Sequence, residues 1–286
     1  MESTSELYIS DKYISSEEVK EYEDGRPLSF FSNLKTEENQ LRFELAMLNQ
    51  ISMTEEHEEA LIPHVRGETS HLNRYCDILP YKHSAVVLET TENDKNNSYI
   101  NANYIPGPFG DKSEYIACQG PKSNTIKDFW RMVKQENIGT ILMLCKITED
   151  GRPKCEEYWP ELTKSLIFED INLEIKCESD KVETENLFHR EFSLYDIDSK
   201  ETISSVKQIH YTGWPDHGVP KKKKLADFDT LVLSSLEEYN SIRDSCENKR
   251  ILLHCSAGIG RTGTLLSILH IVSNLEKQRS NGEDIK

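Results

Sequence analysis

The sequence predicts an α/β fold, a single domain with a twisted mixed β-sheet flanked by helices. Three observations point there. Helix-period and strand-period segments are interleaved along the chain. The stretch Thr140–Leu144 is largely apolar, as expected of a strand covered on both faces. Ile251-Leu252-Leu253 runs through a glycine-bearing loop into an apolar helix. The chain has 286 residues and is 36% hydrophobic, enough for one large domain with a sizeable core.

Residues 1–30 are rich in Glu, Ser, Asp and Lys without a sustained period, and predict a polar, mobile leader before a domain spanning 31–286. From Glu37 the pattern turns helical, with Leu41, Leu45, Leu48 and Ile51 on one face. Residues 53–72 are polar and predict loop. Short strands are expected at Val86–Leu88, Tyr99–Ala102 and Tyr115–Cys118. An amphipathic helix follows, with Ile126, Phe129, Trp130 and Val133 on one face. After Thr140–Leu144 the period falls to two between 166 and 211. Ile171, Leu173 and Ile175 alternate with polar residues there, and Phe188–Phe192 does so less cleanly. This predicts antiparallel sheet. A helix begins near Lys224 and carries Leu225, Phe228, Val232, Leu236, Tyr239 and Ile242. Strand Ile251–Leu253 and helix Thr264–Leu275 close the pattern.

The formal charge is −16. So acidic a surface excludes non-specific binding of nucleic acid or anionic membrane. No apolar run approaches the roughly 18 residues that cross a bilayer, so no direct membrane insertion is expected. The N-terminus Met1–Leu7 is polar and has no signal-peptide pattern. The seven cysteines are odd in number and show no metal-ligand spacing. They predict reduced thiols, a cytoplasmic setting, and no metal or other cofactor. The sequon Asn96-Asn97-Ser98 then reads as chance.

The segment His254-Cys255-Ser256-Ala257-Gly258-Ile259-Gly260-Arg261-Thr262-Gly263 concentrates the chemistry. Unpaired N–H groups at a helix start carry partial positive charge and can wrap an anion. Gly258 and Gly260 permit the backbone angles that turn those groups inward. The same groups, with Arg261, favour thiolate over thiol at Cys255. The planar fork of Arg261 matches two phosphate oxygens. A buried structural cysteine beside a surface arginine is the plain alternative. The spacing of Cys255 and Arg261 alone would not exclude it, but the full string between a buried strand and an apolar helix does.

This string resembles the signature loop of the cysteine-dependent, phosphotyrosine-specific protein tyrosine phosphatases. The resemblance covers residues 37–286 and implies their fold. Cys255 would attack phosphorus and form a cysteinyl phosphate. Arg261 and the backbone of Ser256, Ala257, Gly258, Ile259 and Gly260 would hold the oxygens. Thr262 would sit near the sulfur and assist the second step. His254 would support the loop and the thiolate. Thr212–Pro220, containing Trp214-Pro215-Asp216, resembles the family's mobile acid loop. Asp216 would then be general acid, then base, where an isolated Pro-Asp would read as a turn. Asn73–Tyr81 resembles the phosphotyrosine-recognition loop. Tyr75 would stack on the substrate ring and set pocket depth, and Asp77 would hold the substrate backbone. Tyr99–Asn103 and Gln119-Gly120-Pro121 match scaffold strings. Glu149–Pro160 resembles the loop whose glutamate pairs with the signature arginine, a role falling to Glu149. Lys154 would approach the acid loop. Glu157 reads as solvated surface, and the run Lys221–Lys224 as a solvated helix start.

The chain departs from the family at Lys82 and Ala85, where an acidic residue and an arginine are usual. It also ends before the segment that carries the family's water-placing glutamine and closing helices. The resemblance thus implies a phosphatase hydrolysing phosphotyrosine in proteins, within a domain lacking its usual C-terminal end. The alternative is a binding or substrate-trapping module with impaired turnover. A dual-specificity enzyme is disfavoured by the Tyr75 motif. The setting would be cytoplasmic, in a soluble protein or the intracellular part of a receptor.

Overall fold

The computed structural model describes residues 69–90, 98–110, 113–216, 218–245 and 247–281. The leader, the helix expected from Glu37 and residues 53–68 of the expected loop lie outside these, as do Asn96, Asn97, His217 and Cys246.

The elements that position the site follow from which faces are covered. Four strands form the sheet's centre: β3 (Ser113–Cys118), β11 (Arg250–His254), β4 (Ile138–Met143) and β10 (Thr202–Tyr211). They pair in parallel, in the order β3-β11-β4-β10. Leu252 and Leu253 on β11 and Ile141 and Leu142 on β4 are fully buried, which explains their unbroken apolar runs. The flanks are antiparallel. β1 (Ala85–Val87) and β2 (Tyr99–Pro106) extend one edge, and β9 (Leu187–Tyr195), β8 (Leu173–Thr184) and β7 (Ser165–Phe168) the other. A short separate hairpin joins β5 (Thr148–Glu149) and β6 (Arg152–Pro153).

Helices cover both faces. On one, α1 (Ile126–Gln135) packs Trp130 edge-on to Phe192, with ring centroids 5.6 Å apart. On the other, α2 (Leu225–Asp244) stacks Tyr239 on Tyr115 at 5.4 Å, and α3 (Gly260–Ser280) follows β11 directly. Removing a core leucine such as Leu253 would cost about 2–5 kcal/mol. None of the described helices is long and apolar enough to cross a membrane.

The sheet, its flanking helices and most strand positions match the sequence reading, with strand ends shifted by one to four residues; three other boundaries differ. Ile171 ends a 3-10 turn, Glu169–Ile171, before β8, because Asn172 takes a left-handed conformation with φ 50° and breaks the strand. Helix α3 outruns Thr264–Leu275 at both ends. Its first turn grows from the loop itself, and its last is built of the strong helix formers Glu276, Lys277, Gln278 and Arg279. Ser70–Leu72, expected as loop, forms a 3-10 turn.

Candidate active site

β11 ends at His254, at the carboxyl edge of the parallel strands, where α/β sheets leave room for ligands. The chain then turns through residues 255–259 into α3. Gly258 makes this turn possible. Its φ is +80°, and a Cβ there would lie 2.3 Å from the carbonyl oxygen of Cys118. Gly120 is needed for the same packing, since its Cβ would lie 2.7 Å from the Cys255 oxygen. So tightly held, the Gly258 N–H donates to the Cys255 sulfur at 3.3 Å.

Arg261 is aimed by a buried carboxylate. Its two terminal nitrogens donate to Glu149 Oε1 at 2.6 Å and Oε2 at 3.0 Å. Both side chains are under a tenth exposed. Burial works against the Arg261 charge, but Glu149 more than offsets it and holds the guanidinium above its usual range. Glu149 is itself fixed by the Lys146 N–H at 3.0 Å. The β5–β6 hairpin supplies this clamp, and the sequence reading had assigned Glu149 to that place.

The loop carrying Trp214 and Asp216 lies against the same arginine. Arg261 donates to the Trp214 carbonyl at 3.2 Å. The Trp214 indole donates to Gly218 O at 2.9 Å and packs edge-on to Phe228 at 5.2 Å. Asp216 receives Lys154 Nζ at 2.5 Å and lies 3.7 Å from Arg261. Its hydrogen bond to Asp216 raises the Lys154 amine above its usual range, so the amine stays charged.

The loop Asn73–Tyr81 is held by its own Arg74 and by residues that read only as scaffold in the sequence. Gln119 accepts from the Arg74 backbone and donates to the Leu72 carbonyl, both at 2.8 Å. Asn101 donates to Asn73 and to the Ile78 carbonyl, again at 2.8 Å. Arg74 reaches Gly120 O at 3.0 Å and Pro121 O at 2.6 Å. Tyr75 then meets Ser256 Oγ at 2.9 Å, while the Ser256 hydroxyl donates to Lys154 O at 2.8 Å.

Tyr75, Asp77, Lys154, Asp216, Cys255 and Arg261 thus line one cleft of about 590 Å³, whose wall includes Ser256, Ala257, Ile259, Gly260 and Trp214. Asp77 is exposed at its rim. Cys255 is only 4% exposed. Thr262 falls elsewhere. It lines a neighbouring groove, and its buried hydroxyl bonds to no described residue. Glu157 is exposed, and Lys222–Lys224 form the 3-10 turn that starts α2.

The family model for the protein-tyrosine phosphatases matches residues 69–286. The chain belongs to the protein-tyrosine phosphatase family. Human receptor-type tyrosine-protein phosphatase eta is 40% identical over 209 residues, which are 73% of this chain and 15% of that protein. Tyrosine-protein phosphatase 1 of Caenorhabditis elegans is 42% identical over 198 residues, 68% of this chain and 18% of that protein. Human tyrosine-protein phosphatase non-receptor type 12 is 37% identical over 215 residues, 73% and 26% respectively. The chain therefore spans a minor part of the length of these phosphatases. The catalytic domain of human protein tyrosine phosphatase non-receptor type 18 superposes with a TM-score of 0.71 at 30% identity, over 87% of this chain and 84% of that one. PTPN18 in complex with HER2 phosphopeptides gives 0.74 at 31% identity, over 88% and 84%.

What the sequence reading missed at this site is its support. Tyr158, Gln208 and Arg190 form a buried polar line beneath the loop. Their distance from Cys255 along the chain left no local pattern to find.

Proposed function

We propose that this chain is the catalytic part of a protein tyrosine phosphatase that hydrolyses phosphotyrosine in proteins in two steps. One observation carries the reading: Glu149 presents Arg261 to the same cleft that holds the Cys255 sulfur and the Asp216 carboxyl. The Cys255 thiolate attacks phosphorus, and the bond to the tyrosine oxygen breaks as the sulfur–phosphorus bond forms. Arg261 and the loop N–H groups take up the charge on the equatorial oxygens. Asp216 protonates the leaving phenolate, a contribution of about 10²–10⁴-fold. It next takes a proton from the water that releases inorganic phosphate from sulfur.

Tyr75 on the wall of the cleft supports phosphotyrosine over shorter phosphorylated side chains. The phosphopeptide complexes of PTPN18 support phosphoproteins as partners. Free, buried thiols such as Cys145 and Cys155 fit a reducing, cytoplasmic setting. The trapping alternative gains no support, since nucleophile, clamp and acid are all in place and the relatives carry phosphatase names.

The test is release of inorganic phosphate from a phosphotyrosine peptide with a chelator present. Linear multiple turnovers, lost in Cys255→Ser and much slower on a phosphothreonine peptide, are expected. A single burst without turnover by the folded chain would overturn the hydrolytic reading. Comparable rates on the two peptides would overturn the specificity.

A further inference from the structure

The sheet face that meets α1 carries buried polar groups that the two chemical steps leave unused. Arg190 on β9, Gln208 on β10, Tyr158 over β4 and His254 on β11 stand on adjacent strands. Arg190 is 9% exposed and the other three are fully buried. Arg190 NH1 lies 2.9 Å from Gln208 Oε1, and Gln208 Nε2 lies 2.7 Å from the Tyr158 hydroxyl. That hydroxyl is 2.9 Å from His254 Nε2, and His254 Nδ1 is 3.1 Å from the Cys255 carbonyl oxygen.

The donors and acceptors in this line can be worked out from its two ends. A guanidinium only donates, so the amide atom facing Arg190 is the oxygen of Gln208. The amide nitrogen then faces Tyr158 and only donates, which leaves the Tyr158 hydrogen free for the next link. At the far end a carbonyl oxygen only accepts, so His254 Nδ1 bears hydrogen. With a lone pair on Nε2, every link has one donor and one acceptor. We infer that Arg190, acting through Gln208 and Tyr158, holds His254 as the Nδ1–H tautomer, and that Arg190 and Gln208 are positioning residues for the catalytic loop. In the other tautomer two lone pairs would face each other at the Cys255 carbonyl, and the first peptide of the loop would lose its anchor.

The same arginine orders a second histidine. His210 Nε2 donates to Cys145 O at 2.8 Å, so its Nδ1 accepts from Arg190 at 3.4 Å. Burial keeps that imidazole neutral, holding it down to about 4. The rival arrangement is a charged His254, with the Tyr158 hydrogen on Met143 Sδ at 3.9 Å. A thioether is a weak acceptor. The titratable groups beside His254 are Tyr158, Cys145, Cys118 across the β3–β11 pairing, and Cys255, whose sulfur faces the cleft instead. Contact with Cys155 and burial push the Cys145 thiol well up, and burial does the same to Tyr158, so neither offers a counter-charge. Arg190 is a cation neutralised at its outer end by Asp180 at 3.1 Å.

The test is the ¹⁵N spectrum of the histidine rings in the full chain at neutral pH, with His254 and His210 assigned by their substitution. Hydrogen on Nδ1 alone for His254, and on Nε2 alone for His210, is expected. Hydrogen on both His254 nitrogens, or on Nε2 alone, overturns the inference whether or not any variant folds. Gln208→Glu presents acceptors on both sides and takes the Tyr158 hydrogen. It should move hydrogen to His254 Nε2 and lower kcat/KM about tenfold, the worth of one hydrogen bond. Arg190→Lys, still a pure donor, should keep the wild-type signature, and Arg190→Met should lose it. A folded Arg190→Met chain with unchanged signature and rate contradicts the role of Arg190. The inference rests on the phosphatase reading only for the rate, because the ring spectrum is read without substrate.

Discussion

Glu149→Ala tests the clamp. It deletes two charge-assisted hydrogen bonds to Arg261, at 2.6 and 3.0 Å. Each such bond contributes about 1.5–3 kcal/mol. Among the described residues, Arg261 then keeps only the Trp214 carbonyl at 3.2 Å and Asp216 at 3.7 Å. Drawn toward Asp216, it competes with Lys154 for the acid, so clamp and acid shift together. If one of the two bonds is expressed in the transition state, the loss is about 2 kcal/mol, or about thirtyfold in kcat/KM. Full misdirection of the guanidinium would approach the 10²–10³-fold typical of losing one oxyanion donor. Removing one partner of a buried pair also destabilises, here by about 3–5 kcal/mol. The assay is therefore steady-state kinetics on a phosphotyrosine peptide, at a temperature where denaturant melts show the variant folded. Glu149→Gln, which keeps an acceptor, should fall between the two. A folded Glu149→Ala chain within about threefold of wild type would refute the assignment of Glu149 as the group that aims Arg261.

Other outcomes follow from the same geometry. Gly258→Ala combines a left-handed backbone with a 2.3 Å approach to the Cys118 carbonyl, and should lose at least about 2 kcal/mol of stability by urea melting, together with most activity. Lys154→Ala releases Asp216 and should lower kcat about tenfold with little change in melting temperature, read by kinetics beside thermal melts. Burial holds the His210 imidazole down to about 4, against about 6.5 in the unfolded chain. The unfolded chain therefore takes up the proton first as pH falls. Stability from this group is complete above about pH 6.5 and declines toward pH 4, by at most about 3 kcal/mol. Urea melts across that range should show the decline, and His210→Gln should flatten it.

The site was legible where one short segment carries it. Cys255, Arg261 and the intervening glycines are neighbours in sequence, so strand, loop and helix could be read together. Asp216, Tyr75 and Glu149 were placed by resemblance; the cleft gathers the first two, and Glu149 pairs with Arg261 behind it. Gln119, Asn101 and Arg74 act across tens of residues, and their bonds to backbone carbonyls leave no trace in periodicity. The strand order β3-β11-β4-β10 was illegible for a similar reason, since parallel pairing leaves no local turn signal. The polar line through Gln208 ran against the pattern, because buried amides on an apolar strand look like surface positions in a sequence.

The central claim is that phosphate passes through the Cys255 sulfur. The direct measurement is a rapid acid quench during turnover of a ³²P-phosphotyrosine peptide, followed by proteolysis and mapping of the label. Label is predicted on the fragment containing Cys255, absent in Cys255→Ser and chased off as free phosphate on longer mixing. Steady turnover with no label on that fragment, or with label on another residue, would contradict it.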